Sequence, residues 1–116
     1  MDATSFELNA TFPADERFVE TMRLVAEHAA RYAGCRGDDA EKYGIVVELV
    51  ASFCLAGLAP ETGVEVIVRR GDGPVEFLIA CERKFSAGTS GHPHITIEWT
   101  RHANRGMCRI ARDMPR

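Results

Sequence analysis

Glu48 and Ser52 stand four residues apart inside an otherwise apolar stretch, GIVVELVASFCLAG, residues 44–57. On a helix that spacing puts both side chains on one face. A carboxylate beside a hydroxyl can serve acid–base chemistry. The alternative is two incidental polar residues on a partly wet stripe.

Other chemistry-bearing residues are sparser. His92 and His94 have His-x-His spacing, which on a strand puts two rings on one face as metal ligands would require, and His102 follows. Pro93 separates them and Glu98 is the nearby carboxylate, so a loop entering a strand is the better reading. Ser52 has no histidine close in sequence, and no Gly-x-Ser-x-Gly elbow occurs. Ser86 and Ser90 sit in a glycine- and serine-rich stretch that reads as a linker rather than a phosphate cradle. Cys35, Cys54, Cys81 and Cys108 include no CxxC pair, so zinc-finger spacing is absent, and Cys54 and Cys81 read as small core residues. Trp99, alone of its kind, reads as a core residue before a partner anchor.

The elements that must hold these residues follow from the pattern. The 116 residues suggest one domain spanning 1–116, with 46% apolar and 27% charged residues in the globular range. A net charge of −3 gives no overall pull toward nucleic acid or anionic lipid. Residues 1–50 hold ten acids against five bases, while 101–116 hold five arginines against Asp113; a solvated helix face explains the latter better than an acidic partner. No signal peptide or membrane span is recognisable, and a reducing cytoplasm is expected.

SFELNATFP alternates, with Phe6, Leu8, Ala10 and Phe12 on one side, as a half-buried strand does. Residues 15–33 change to helical period, starting at Asp15 and Glu16 and ending at Gly34. Residues 39–57 form a second helix, apolar nearly all round and therefore buried on more than one side. Asp38 and Glu41 suggest a capping box at its start. GVEVIVRRG and PVEFLIACER flank the turn GDGP as a hairpin. KFSAGTSGHP reads as a loop, HITIEWT as a strand, and ANRGMCRIARDM as a final helix with Met107, Ile110, Ala111 and Met114 on its apolar face. Strands segregated from helices predict an α+β, two-layer sandwich with a mixed, mainly antiparallel sheet and helices on one face. The expected core is Phe6, Leu8, Phe12, Phe18, Met22, Val25, Leu49, Phe53, Val66, Phe77 and Ile79. Phe53→Ala is expected to cost about 3–5 kcal/mol.

This order, with a buried second helix carrying a glutamate, resembles the anti-sigma-factor serine kinases of the GHKL, or histidine-kinase-like, ATPase superfamily, best over residues 6–81. The resemblance implies an ATP site. The family's second helix carries Glu-x-x-x-Asn, a general base and a magnesium ligand; Glu48 matches the first, and Ser52 stands in place of the second as a weaker magnesium candidate. The family's adenine-reading Asp-x-Gly-x-Gly falls on IACERKF, with Cys81 or Glu82 at the aspartate, bulky Arg83 and Lys84 after it, and no glycine before Gly88. A thiol cannot replace the charge-assisted bond of that carboxylate. Of the glycine-rich lid only Gly106 remains. Whether 95–100 or 104–114 takes the place of the family's C-terminal elements stays open, and the domain resembles a minimal form of the fold.

One motif position in three is kept. The resemblance therefore implies a degenerate member that regulates transcription by binding a protein, either a sigma factor or an anti-sigma antagonist, with dimerisation as in relatives. The alternatives are an active serine/threonine kinase using ATP and Mg, and a small-ligand or metal sensor in the vacated pocket.

Overall fold

The computed structural model describes residues 5–71, 73–82, 88–102 and 105–114, without the side chains of Ser90, His92 and His102. The chain order is β1 (Phe6–Pro13), a 3-10 turn (Glu16–Phe18), α1 (Val19–Tyr32), α2 (Asp38–Leu55), β2 (Gly63–Arg70), β3 (Val75–Cys81), β4 (Gly88–His92), β5 (Ile95–His102) and β6 (Arg105–Arg112). Six strands form one sheet in the order β1-β2-β3-β6-β5-β4, and every pairing is antiparallel. The fold is an α+β two-layer arrangement, with the expected mixed sheet replaced by a wholly antiparallel one.

The period-2 pattern sets which face each strand presents. Val64, Val66 and Val68 of β2, and Val75, Phe77, Ile79 and Cys81 of β3, are all buried beneath the helices. The register sets Val68 beside Phe77 and Phe77 beside Ile110, so the core rows run straight across the strands. α1 supplies Val19, Met22, Ala26 and Ala30; α2 supplies Ala40, Tyr43, Val47, Val50, Ala51, Cys54 and Leu55. The Tyr43 hydroxyl donates to the Ile110 carbonyl at 2.8 Å, which lets a buried phenol join α2 to β6.

Local chemistry places the helix ends. Asp15 caps the 3-10 turn by accepting from the Arg17 amide at 2.9 Å. Gly34, at φ 115°, makes the left-handed exit from α1 that a side chain would resist. Arg70 of β2 then donates to the Ala33 carbonyl at 3.1 Å, satisfying a carbonyl at that helix end. The expected capping box of α2 does not form: Gly37 is the N-cap, without a side-chain bond, and Asp38 is already helical.

Two segments depart from the sequence reading. ANRGMCRIARDM is a strand over its described part, because Gly106, Cys108, Ile110 and Arg112 alternate inward and both sheet neighbours bond it. Part of the expected loop KFSAGTSGHP is β4, held by backbone pairing to β5; its residues 84–87 lie outside the described ones. The core list also needs correction. Leu8, Leu49 and Phe53 are exposed, and Phe6, Phe12, Phe18 and Val25 are partly buried. Met22, Val66, Phe77 and Ile79 are buried as expected.

Candidate functional site

α1 and α2 approach closely because Gly44 has no side chain. A Cβ there would lie 3.1 Å from the Arg23 carbonyl oxygen and 3.2 Å from the Cγ atoms of Arg23 and Glu27. Glu48, one turn on, rises beside the same seam. Its Oε2 lies 3.3 Å from Arg23 Nε. Arg23 also meets Glu27 at 3.3 Å and Glu20 at 3.6 Å, Arg31 meets Glu27 at 3.3 Å, and Glu41 lies 3.8 Å from Arg31. Two arginines thus tie four glutamates along the outer seam between the helices. The Glu48 carboxylate is half-buried and already bonded to a cation. Ser52, the next turn along, is exposed.

The other positions matching the nucleotide site sit elsewhere in the sheet. Cys81, the last residue of β3, is fully buried, with Gly106 of β6 as its register partner. Glu82 is exposed just past that strand end. Gly88 opens β4 opposite Trp99 and has open space around it. Gly106 is buried within β6, in a strand rather than in a lid before a helix. Cys81 and Gly106 therefore share one end of the β3–β6 pair, while the bonded partner of Glu48 belongs to α1. Arg83 and Lys84 lie outside the described residues.

Two of the thiols, Cys108 and Cys35, are in a poor state for nucleophilic work. Burial pushes Cys108 up to about 12, and the neighbouring Cys81 adds to the rise. Burial likewise raises the Cys35 thiol, whose Sγ lies 3.6 Å from Met114 Sδ. None of the four cysteines is in a disulfide.

The histidine expectation resolves into a turn. His92 pairs with Ile95, and Pro93–His94 make the two-residue link between β4 and β5. His94 takes φ 65° after a proline, as the third position of a type II turn does. Among the described residues no group of three or more His, Cys, Asp or Glu side chains could hold a metal ion. Ser86 lies outside the described residues.

Two of the concavities among the described residues lie against the helices. A groove of about 740 Å³ runs between α1 and the β1 edge, lined by Phe6, Leu8, Val25, His28, Tyr32 and Val68 among others. A smaller one, about 160 Å³, lies between the start of α2 and the β4–β5 turn, against Asp39, Lys42, His94, Ile95 and Arg112. Neither is lined by Glu48, Ser52, Cys81, Glu82, Gly88 or Gly106.

The feature that sequence reasoning missed is the outer face of α2. Ile45, Leu49 and Phe53 are 49, 66 and 51% exposed, and their i, i+4, i+8 spacing makes one bare apolar stripe. Phe53 meets Trp99 of β5 edge-on, with ring centroids 5.4 Å apart, so the stripe continues onto the sheet. A helix apolar on all sides signals a partner on every side; here the seam, the sheet and this stripe divide the circumference. Gly44 was likewise legible, since a lone glycine inside a helical pattern commonly marks close packing. Among the described residues no helix is long and apolar enough to cross a membrane. No protein-family model matches the chain, and neither does any curated protein sequence.

Proposed function

We propose that this chain is a regulatory protein-binding domain of the anti-sigma type, acting in the cytoplasm in transcriptional control, with a nucleotide site that no longer works. The observation that carries this reading is the exposed Ile45–Leu49–Phe53 stripe. Large apolar side chains aligned on a helix face, next to an aromatic pair, suit contact with another macromolecule better than with water. The partner class comes from the resemblance: a sigma factor or an anti-sigma antagonist protein, with the domain itself dimeric.

Three features weigh against phosphoryl transfer. Arg23 occupies the Glu48 carboxylate, which would otherwise have to take the proton from a substrate hydroxyl. In the register that matches Cys81 rather than Glu82 to the family's aspartate, a buried thiol stands where an adenine-reading carboxylate is needed, and Ser52 is shorter than the asparagine expected for magnesium.

The test is calorimetry of the purified protein with ATP and Mg, together with a phosphorylation assay on a candidate sigma factor or antagonist. Binding no tighter than about millimolar, near −4 kcal/mol, is expected, and Glu48→Gln should leave partner affinity intact. Micromolar ATP affinity, with phosphorylation that Glu48→Gln abolishes, would make the chain a kinase and overturn the reading.

A further inference from the structure

The sheet has two edges, and they are built differently. β4, at one edge, is five residues long, GTSGH, with two glycines and no apolar side chain. β1, at the other, is eight residues long and pairs one-to-one with β2, without a bulge and with Pro13 only at its end. Short length, bulges, lysines and internal prolines commonly keep an edge strand from pairing with another chain, and β1 has none of these.

The β1–β2 register carries on to Ala14, whose amide donates to the Thr62 carbonyl at 2.9 Å. In an antiparallel pair, residues alternate between bonding the neighbour and facing away from it. The even-numbered residues of β1 therefore bond β2, and the amides and carbonyls of Glu7, Asn9 and Thr11 face outward. Pro13 belongs to the outward set, where a missing amide costs β2 no bond. Among the described residues no backbone bond reaches Glu7, Asn9 or Thr11 from that side. The same edge overhangs the helical layer. Leu8 pairs with Val68 and shares its face, yet Val68 is 2% exposed and Leu8 51%. The groove of about 740 Å³ lies here, with Phe6, Leu8 and Val68 on the strand side and Val25, His28 and Ala29 on the helix side. A further concavity, about 320 Å³, runs along Asn9, Thr11 and Glu65 at the same edge.

Open main-chain groups beside an apolar groove match one kind of ligand, an extended chain. We propose that β1 takes up an extended segment of a partner protein, apolar at alternate positions, as an added edge strand. This extends the protein-binding reading above to a second surface, separate from the α2 stripe. Set antiparallel, as every pair in this sheet is, the segment exchanges backbone bonds with Glu7, Asn9 and Thr11. Its residues opposite Phe6 and Leu8 enter the groove, and those opposite Glu7 and Asn9 lie on the polar far face. A second copy of this chain suits the place less well. Its own β1 would bring an identical groove with it, so the apolar volume would be doubled rather than filled. A small apolar molecule would fill the groove but leave the edge unpaired.

The test uses the full chain and a displayed library of random peptides about ten residues long, the length of a long strand. Selection should enrich sequences that are apolar at every second residue and free of proline. A labelled peptide from the enriched pool should bind in fluorescence anisotropy. N-methylation of the alternate amides turned toward β1 should abolish that binding, and N-methylation of the other set should leave it nearly unchanged. Asn9→Pro removes an outward donor and no bond to β2, and should weaken the peptide by about tenfold or more. Leu8→Glu, at an exposed position, should weaken it from the groove side. Both variants should keep the far-ultraviolet circular dichroism of the wild type, and sedimentation should give wild type and Asn9→Pro the same mass. The proposal fails if no peptide is enriched, and binding of dodecanoate would then assign the groove to a small apolar molecule. It fails if enrichment ignores alternation, or if both N-methylated peptides bind as well as their parent. It fails equally if Asn9→Pro dissolves a dimer, which would give the edge to a second copy. Any of these outcomes leaves the reading built on the α2 stripe to its own ATP and phosphorylation test.

Discussion

α2 turns two surfaces about 100° apart to its surroundings, and they are built on opposite principles. Toward α1 it offers Gly44 and Glu48, a close backbone approach flanked by a lattice of four carboxylates and two guanidinium groups. Away from α1 it offers Ile45, Leu49 and Phe53, without polar relief along that row. The charged surface has its partner in place; the apolar one meets Trp99 through Phe53 and is otherwise largely exposed. The usual expectation, greasy residues inside and ionic residues free for chemistry, is inverted on this helix. A glutamate in a helix of this composition draws attention as a catalytic group, yet it is the seam's glutamate that is satisfied and the stripe's leucine that is not.

The sharpest way to break the comparison is to truncate one large side chain on each side of α2. Tyr43 is fully buried, and Tyr43→Ala should cost about 3–5 kcal/mol in urea unfolding, as for other buried aromatics. Phe53→Ala removes a ring that is half in water and should cost only about 1 kcal/mol. Equal losses would mean that the stripe is part of the core after all. Next in size is the seam. Gly44→Val drives a branched side chain against the Arg23 backbone, which belongs to another helix and cannot move aside alone; about 1–3 kcal/mol should be lost. A neutral result would show that the helices are not held at this distance.

The smallest effect concerns ion pairs placed on the other surface of the sheet. There Arg69, Glu76, Arg109 and Glu98 join β2, β3, β6 and β5 in one row. Burial works to raise the Glu76 carboxyl, but bonds from Arg109 and Arg69 outweigh it and hold the group below its ordinary 4.5. A depressed carboxyl stabilises the fold above its unfolded pKa, and that contribution is lost as pH falls through the folded value. Glu76→Gln should therefore flatten the loss of stability below about pH 4.5. An unchanged acid limb in pH-dependent melting would show that the row is too well solvated to matter.

Much of this architecture was legible because burial and period agreed. Val64, Val66 and Val68 alternate as a strand must, and the run from Val19 to Tyr32 repeats as a helix must. The failures came where two patterns coexist or none does. In residues 105–112, Met107, Ile110, Ala111 and then Met114 satisfy helical spacing, while Gly106, Cys108, Ile110 and Arg112 satisfy alternation. Strands on both sides decide for alternation, and a local pattern holds no information about them. GTSGH has no apolar residue to alternate, so only its backbone bonds to β5 identify it as a strand. At the site, Glu48 stood out as a lone carboxylate, but its partner Arg23 lies on another helix, beyond reach of any spacing argument. Leu49 and Phe53 were assigned to the core because apolar content alone does not tell an interior from a surface awaiting cover.

β6 follows every other strand in the chain, yet it lies in the middle of the sheet. On one side it holds β3, which completes the set with β1 and β2; on the other it holds β5 with β4. Before β6 arrives, these are two independent ribbons with facing open edges, each able to pair with a stranger. The residues that β6 joins to β3 are separated by up to 37 positions, Val75 with Arg112, so the joining step must wait for a long loop to close. During synthesis the helices and the first three strands emerge with nothing to cap the β3 edge. The two flanks can thus pair before the middle strand closes the sheet, and the exposure of the β3 edge is set by how quickly residues 105–112 follow.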